Sequence, residues 1–166
     1  MLDAAEMTAG LIKGAVLGGM VTLGAYATRR HAGSVLAGVL IFAAVGYIVF
    51  AHDAGMSPAW IGLEVLGLAI YGSMAIRGVY GSPWWLVAGW TLHPVWDGLL
   101  HYYGPGGAFA PTWWTVPCIS WDLLTAGYIA WRIVRGTHPA PAGERGGLSR
   151  ASVDQGATDR FSVAAN

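Results

Sequence analysis

Five apolar segments follow one another along the chain, and their length limits the folds that are open to it. They run from about residue 8 to 27, 33 to 51, 57 to 76, 82 to 102 and 117 to 135. Each is close to the roughly 17–25 residues that a helix needs to cross a bilayer. Only 11% of the 166 residues are charged, against about 25% in an ordinary soluble domain. The sequence therefore predicts an all-α, polytopic membrane helix bundle with five transmembrane helices.

The basic residues predict how this bundle is oriented. Five crossings bring the arginines after the first, third and fifth segments to one side: Arg29, Arg30, Arg77, Arg132, Arg135, Arg145, Arg150 and Arg160. Because basic residues are retained in the cytoplasm, we expect an external N-terminus and a cytoplasmic C-terminus in the cell inner membrane. An alternative topology has four crossings, with the first segment lying at the membrane surface. It ranks second because Asp3 and Glu6 would then lie on the same side as the arginines.

The two ends of the chain differ in character. Residues 1–135 form the predicted membrane domain. Residues 136–166 have too few large apolar side chains to fold, so we expect a disordered cytoplasmic tail. The segment Ala25-Tyr26-Ala27 has the form of a signal-peptidase site. However, the residues before the apolar run are acidic and Lys13 interrupts it, so an uncleaved first helix is favoured.

The first segment carries a stripe of small residues. Gly10, Gly14 and Gly18 recur every four residues, which places them on one helix face and allows a second helix to approach closely. This stripe suggests self-association of the protein. A net charge of zero gives no indication of nucleic-acid binding. The partners that we expect are the lipid bilayer and an apolar substrate.

The fourth segment contains the strongest candidate for a functional site. His93, Asp97 and His101 are spaced four residues apart, so they lie along one face of a helix. Ionisable side chains in a membrane-spanning helix cost roughly 2.5 kcal/mol or more each. Pro94 removes a backbone hydrogen bond and predicts a kink beside His93. A structural hydrogen-bonded pair of His93 and Asp97 is the simplest alternative.

Two more acids and a lysine are expected at a similar depth. At 1.5 Å per residue, Glu64 lies roughly 9 Å from the outer end of the third helix, and Asp97 and Asp122 lie roughly 8 Å from theirs. Lys13 is at a similar depth in the first helix, where it either extends to the surface or serves as a counter-ion. Since carboxylates stay ionised only with partners, we expect a water-accessible outward pocket.

Three kinds of chemistry fit such a pocket. A divalent zinc, iron or manganese ion suits imidazole and carboxylate ligands, drawn from His93, Asp97, His101 and Asp122. One ion would use Asp97 with only one of the two histidines, because these lie about 12 Å apart along the helix. A metal-bound water would then permit hydrolysis of a lipid or another apolar substrate, and Glu64, Asp97 and Asp122 are the candidate catalytic residues.

The other two possibilities need no metal. In one, the buried carboxylates act as acid and base on a lipid or isoprenoid, in a cyclase or isomerase type of reaction. In the other, they bind protons or cations in a transport protein or an accessory membrane subunit. Cys118, one turn before Asp122, is expected to be a small buried apolar residue.

The segment from Gly89 to Asp97, with the pattern GWxxHxxWD, resembles an uncharacterised family of small bacterial integral membrane proteins. His101, Cys118 and Asp122 extend the similarity, which covers roughly residues 60 to 131. The family often has paired histidines where this chain has Leu100-His101, and a second cysteine in place of Trp121. These differences weaken the case for a cysteine-rich metal site. The resemblance implies a membrane location and assigns no activity.

Overall fold

The computed structural model describes residues 2–28 and 31–137, and every regular element in them is a helix. The helices are α1 (Ala4–Ala27), α2 (Ala32–Asp53), α3 (Pro58–Tyr80), α4 (Trp84–Trp96) and α5 (Thr112–Val134), with a π-helical turn at Asp97–Tyr102 and a 3-10 turn at Pro105–Ala108. The prediction of an all-α chain is confirmed. Most of the predicted tail, from residue 138 onward, lies outside the described residues.

Within the described part of the chain, three helices have both the length and the hydropathy of a membrane span, namely α1, α2 and α3. Helix α4 is only 13 residues long because its α-helical geometry ends at Trp96. Helix α5 is 23 residues long, but its polar and aromatic side chains lower its hydropathy. Large apolar side chains are exposed on the outside, such as Met20 at 65% and Leu99 at 69%. An apolar exterior around buried charged residues is compatible with a membrane protein.

The fifth helix begins earlier than the sequence predicts. Proline commonly starts a helix, and this made Pro117 the expected first residue. In the structure α5 begins at Thr112, after Pro111, and Pro117 lies inside the helix. A proline this close to the N-terminus removes only one early hydrogen bond. Asp122 therefore lies ten residues into α5, roughly 15 Å from its start.

The glycine stripe of α1 packs against α5 of the same chain. A Cβ atom on Gly10 would lie 2.7 Å from Val116, and one on Gly18 would lie 2.8 Å from Trp121, so only glycine allows this approach. The contacts advance in the same direction on both helices, which makes α1 and α5 parallel. The stripe therefore has a partner within the chain, and self-association stays a prediction.

The remaining helices alternate in direction. Gly78 near the end of α3 contacts Leu86 near the start of α4, and Gly67 contacts Trp96 at the other end. The core has two apolar parts: a large one centred on Leu40, Leu86, Trp90 and Ile129, and a smaller one around Tyr47 and Phe109. The buried histidines and carboxylates lie between these two parts.

Candidate functional site: a buried histidine–carboxylate cluster

The centre of the site is the point where the α4 helix changes its hydrogen bonding. Pro94 lies inside α4 and donates no backbone hydrogen bond. Three residues later the chain enters the π-helical turn Asp97–Tyr102, in which Tyr103 N donates to Gly98 O at 2.9 Å. Isolated π-turns within helices are frequent at functional sites. This wider turn carries Asp97 and His101, and the kink beside His93 stays a prediction.

His93 joins this turn to α5. Its Nδ1 donates a hydrogen bond to Asp122 Oδ2 at 2.8 Å, and the same nitrogen lies 3.6 Å from Asp97 Oδ2. Asp97 lies on the same face as His93, whereas Asp122 comes from α5, 29 residues after His93 in the sequence. The predicted association of His93, Asp97 and Asp122 is thus present in the structure.

His101 extends the cluster toward α3. Its Nδ1 lies 3.5 Å from Asp97 Oδ1, and its Nε2 donates to Glu64 Oε1 at 3.1 Å. Carboxylates and imidazoles therefore alternate in one continuous row: Glu64, His101, Asp97, His93 and Asp122. All of the sequence-predicted site residues belong to this row, and together they link α3, α4 with its π-turn, and α5.

The cluster is closed rather than open to water. Its five side chains are at most 2% exposed, although the sequence predicted a water-accessible outward pocket. Two aromatic rings explain the difference. Tyr47 stacks on the His101 ring with 3.8 Å between centroids, and Phe109, from the loop before α5, contacts the same ring edge-on at 5.7 Å.

Three of these residues could hold a metal ion. His93, Asp97 and Asp122 each offer one ligand atom, and these atoms lie within 4.8 Å of one another. Asp97 is 0% exposed, and within residues 2–28 and 31–137 neither of its oxygens has a hydrogen-bond partner. Since buried carboxylates normally have such partners, Asp97 fits a role as a metal ligand. His101, the fourth predicted ligand, contacts the oxygen of Asp97 that faces away from His93.

An apolar cavity of about 270 Å³ borders the cluster on the side of Asp122. It lies between α1, α2, α4 and α5, and Asp122 and Cys118 form part of its wall. The remaining lining is mostly aromatic and aliphatic, including Phe42, Trp90, Trp114 and Trp121, with Lys13 at one side. The cavity thus provides an apolar molecule with a place next to one of the buried carboxylates.

Four further residues lie outside the cluster: Lys13, His52, Asp53 and Cys118. Lys13 is exposed and makes no ion pair within the described residues. His52 and Asp53, in the last turn of α2, form an exposed pair at 3.3 Å. Cys118 is buried and free, which fits its expected apolar role.

The sequence analysis missed Tyr47 and Arg132. Tyr47 is a lone polar aromatic residue in an apolar segment, a signal too common to single it out. Arg132 was read only as a basic residue at the helix end, but it is buried and lies 4.0 Å above the Tyr26 ring. This cation–π contact links the far ends of α1 and α5.

Comparison with models of known families, with curated proteins and with solved structures finds no match to this chain. The resemblance to a family of small bacterial membrane proteins therefore stays a prediction. A function has to be argued from the geometry of the cluster and of the adjoining cavity.

Proposed function

We propose that the protein is a five-span inner-membrane protein that binds one divalent metal ion at His93, Asp97 and Asp122 and uses it on an apolar substrate. The single observation that carries this proposal is the buried Asp97 carboxylate, which faces two imidazoles and has no hydrogen bond within the described chain. A cation is the partner that such a group requires.

The proposed topology is supported by the helix directions. Helices α1 and α5 run parallel, and α3 and α4 run antiparallel, as expected when each helix crosses the bilayer in turn. Helix α4 and its π-turn together cover residues 84–102, which is long enough for one crossing. Arg77 then lies at the same end as Arg132 and Arg135, opposite Asp53, in agreement with a cytoplasmic C-terminus.

Charge balance supports a divalent ion. One such ion neutralises Asp97 and Asp122, with His93 as a neutral ligand. The negative charge of Glu64 is then balanced by His101 in its protonated form. The whole cluster carries no net charge in this state, which is the least costly arrangement for a site sealed from water.

The distances fit a small coordination sphere. Two ligand atoms of a tetrahedral zinc stand about 3.4 Å apart, since each bond is about 2.1 Å long. His93 Nδ1 lies 2.8 Å from Asp122 Oδ2 and 3.6 Å from Asp97 Oδ2, so small side-chain shifts suffice. Three protein ligands leave a position for water or substrate, as in catalytic zinc sites. Iron and manganese accept the same donor atoms.

Glu64 and His101 would hold the ligand Asp97 in place. His101 contacts the second oxygen of Asp97 and is itself fixed by Glu64 at 3.1 Å. Groups that orient a metal ligand in this way commonly change metal affinity by about 10–100-fold. Glu64 is thus assigned a positioning role.

The test is elemental analysis of the protein purified in a mild detergent without chelators. We expect close to one equivalent of zinc, iron or manganese, lost in the isosteric variant Asp97→Asn. The matched control is Asp53→Asn, which changes an exposed aspartate and should retain the metal. Glu64→Gln should bind metal about 10–100-fold more weakly. Wild-type protein that takes up none of the three metals, and whose thermal unfolding they do not shift, would contradict the proposal.

A proton relay is the second candidate, and the unbroken row from Glu64 to Asp122 favours it. Protons can pass along alternating carboxylates and imidazoles, either for acid–base chemistry on a lipid or for transport. Proton flux into liposomes that metals do not inhibit, and that Glu64→Gln abolishes, would support the relay in place of the metal site.

A further inference from the structure

The cavity beside Asp122 has a charged residue at its edge whose role the metal site does not explain. Helix α1 begins at Ala4, four residues earlier than the sequence predicted, so Lys13 lies roughly 14 Å along the helix. An unpaired lysine at such a depth is costly in a bilayer. Lys13 has no acidic partner among residues 2–28 and 31–137, and it lines the cavity.

The cavity also has an opening that suits a lipid. Helix α1 packs mainly on α5 and makes few contacts with α2. Leu17 on α1 and Phe42 on α2 both line the cavity, and both are exposed on the outer surface of the bundle. A hydrocarbon chain can therefore enter sideways from the membrane between α1 and α2, without passing through water.

The size of the cavity limits the occupant to one chain. A protein cavity of about 150 Å³ accepts benzene, so the 270 Å³ here accommodates a hydrocarbon segment of about a dozen carbon atoms. Two acyl chains would not fit. The walls offer no acidic group except Asp122, which is engaged by His93 at 2.8 Å, whereas Lys13 offers a positive charge for a head group.

We propose that this cavity binds an anionic single-chain amphiphile, with its carboxylate or phosphate head on Lys13 and its tail among Trp90, Trp114 and Trp121 near Asp122. Binding of this molecule does not depend on the metal-dependent function proposed above. Its role as the substrate does. The inference thus names both the chemical class of ligand and the residue that selects it.

The test uses quenching of tryptophan fluorescence by 11-bromoundecanoate in nanodiscs of zwitterionic lipid, because tryptophans line the cavity. We expect saturable quenching that weakens on the order of tenfold in Lys13→Gln, as for loss of a charge-assisted contact. The uncharged alcohol of the same length should bind as weakly to the wild type as the acid binds to Lys13→Gln. Leu17→Trp should narrow the opening and weaken binding of both acid and alcohol.

Two results would overturn the inference. Equal affinity for the acid and the alcohol, unchanged in Lys13→Gln, would exclude head-group recognition. Quenching that Leu17→Trp leaves unchanged would place the ligand elsewhere. The variant Asp97→Asn separates the two proposals, since it should lose the metal and keep the amphiphile. Binding in a protein that takes up no metal would leave this inference intact and contradict only the metal site.

Discussion

The α5 helix contacts its two main neighbours in opposite ways. Toward α1 it meets glycines, and Gly14 is so close that a side chain there would overlap the Pro117 carbonyl. Toward α4 it presents Asp122, which is hydrogen bonded to His93. Lipid tails are as apolar as leucine, so burial of apolar surface does not drive helices together within a bilayer. One contact relies on close backbone fit and the other on polar pairing.

The difference indicates which contact serves function. Backbone fit is achieved by small residues alone and needs no ionisable group. The α4–α5 contact could have been built in the same way, yet it carries three buried ionisable side chains whose presence is costly. Chemistry at His93, Asp97 and Asp122 is the reason we infer for retaining them.

The largest effect should follow from breaking the polar contact with His93→Leu. This change leaves Asp97 and Asp122 buried without their shared imidazole, and a buried charged group that loses its hydrogen-bond partner costs about 3 kcal/mol or more. The free energy of unfolding, measured by SDS titration in mixed micelles, should fall by that amount. The control His52→Leu changes an imidazole that is 79% exposed and should have almost no effect. A His93→Leu protein as stable as wild type and as His52→Leu would show that His93 does not stabilise the fold.

A smaller effect is expected from the glycine contact. In Gly14→Ala the new methyl group would overlap Pro117 O and Ser120 Oγ, so α1 must move away from α5 at a cost of about 1–3 kcal/mol. The same SDS titration measures it, and metal content should not change. The control is Gly19→Ala, where a Cβ would meet nothing within 4 Å; alanine there should be neutral or slightly stabilising. A Gly14→Ala protein as stable as wild type would mean that the close fit is not required.

The predictability of the two contacts from sequence also differs. Spacing alone places His93 and Asp97 on one helix face, because helix geometry converts residue number into height and angle. The depth of Asp122 was underestimated, because it was counted from Pro117 and α5 begins at Thr112. Residue number does not tell which neighbour each face of a helix contacts, because this depends on how the helix is rotated about its axis. It was therefore the structure that showed Gly14 facing α5 and not a second copy of the chain.

The errors in the sequence analysis have identifiable physical causes. The start of α5 was placed at Pro117 because proline is favoured in a first turn but also tolerated slightly later. The pocket was expected to be open because a ring such as Tyr47, which covers His101, comes from a helix whose rotation the sequence leaves undefined. Local rules thus predicted which residues are polar, but neither what covers them nor the depth of Asp122 and Lys13, whose helices begin earlier than expected.

The smallest effect should come from one of the polar links within the α1–α5 contact, the pair of buried threonines. Thr22 Oγ1 and Thr125 Oγ1 lie 3.2 Å apart and are buried. Thr22→Val keeps the shape and removes the hydrogen bond, and such bonds within membrane proteins contribute about 0.6 kcal/mol on average. The double variant with Thr125→Val leaves no hydroxyl unpaired and should be no less stable in the SDS titration than the single one. If Thr22→Val lost as much stability as His93→Leu, polar pairing would stabilise the α1–α5 contact as strongly as the α4–α5 contact. The distinction between these two contacts would then be wrong.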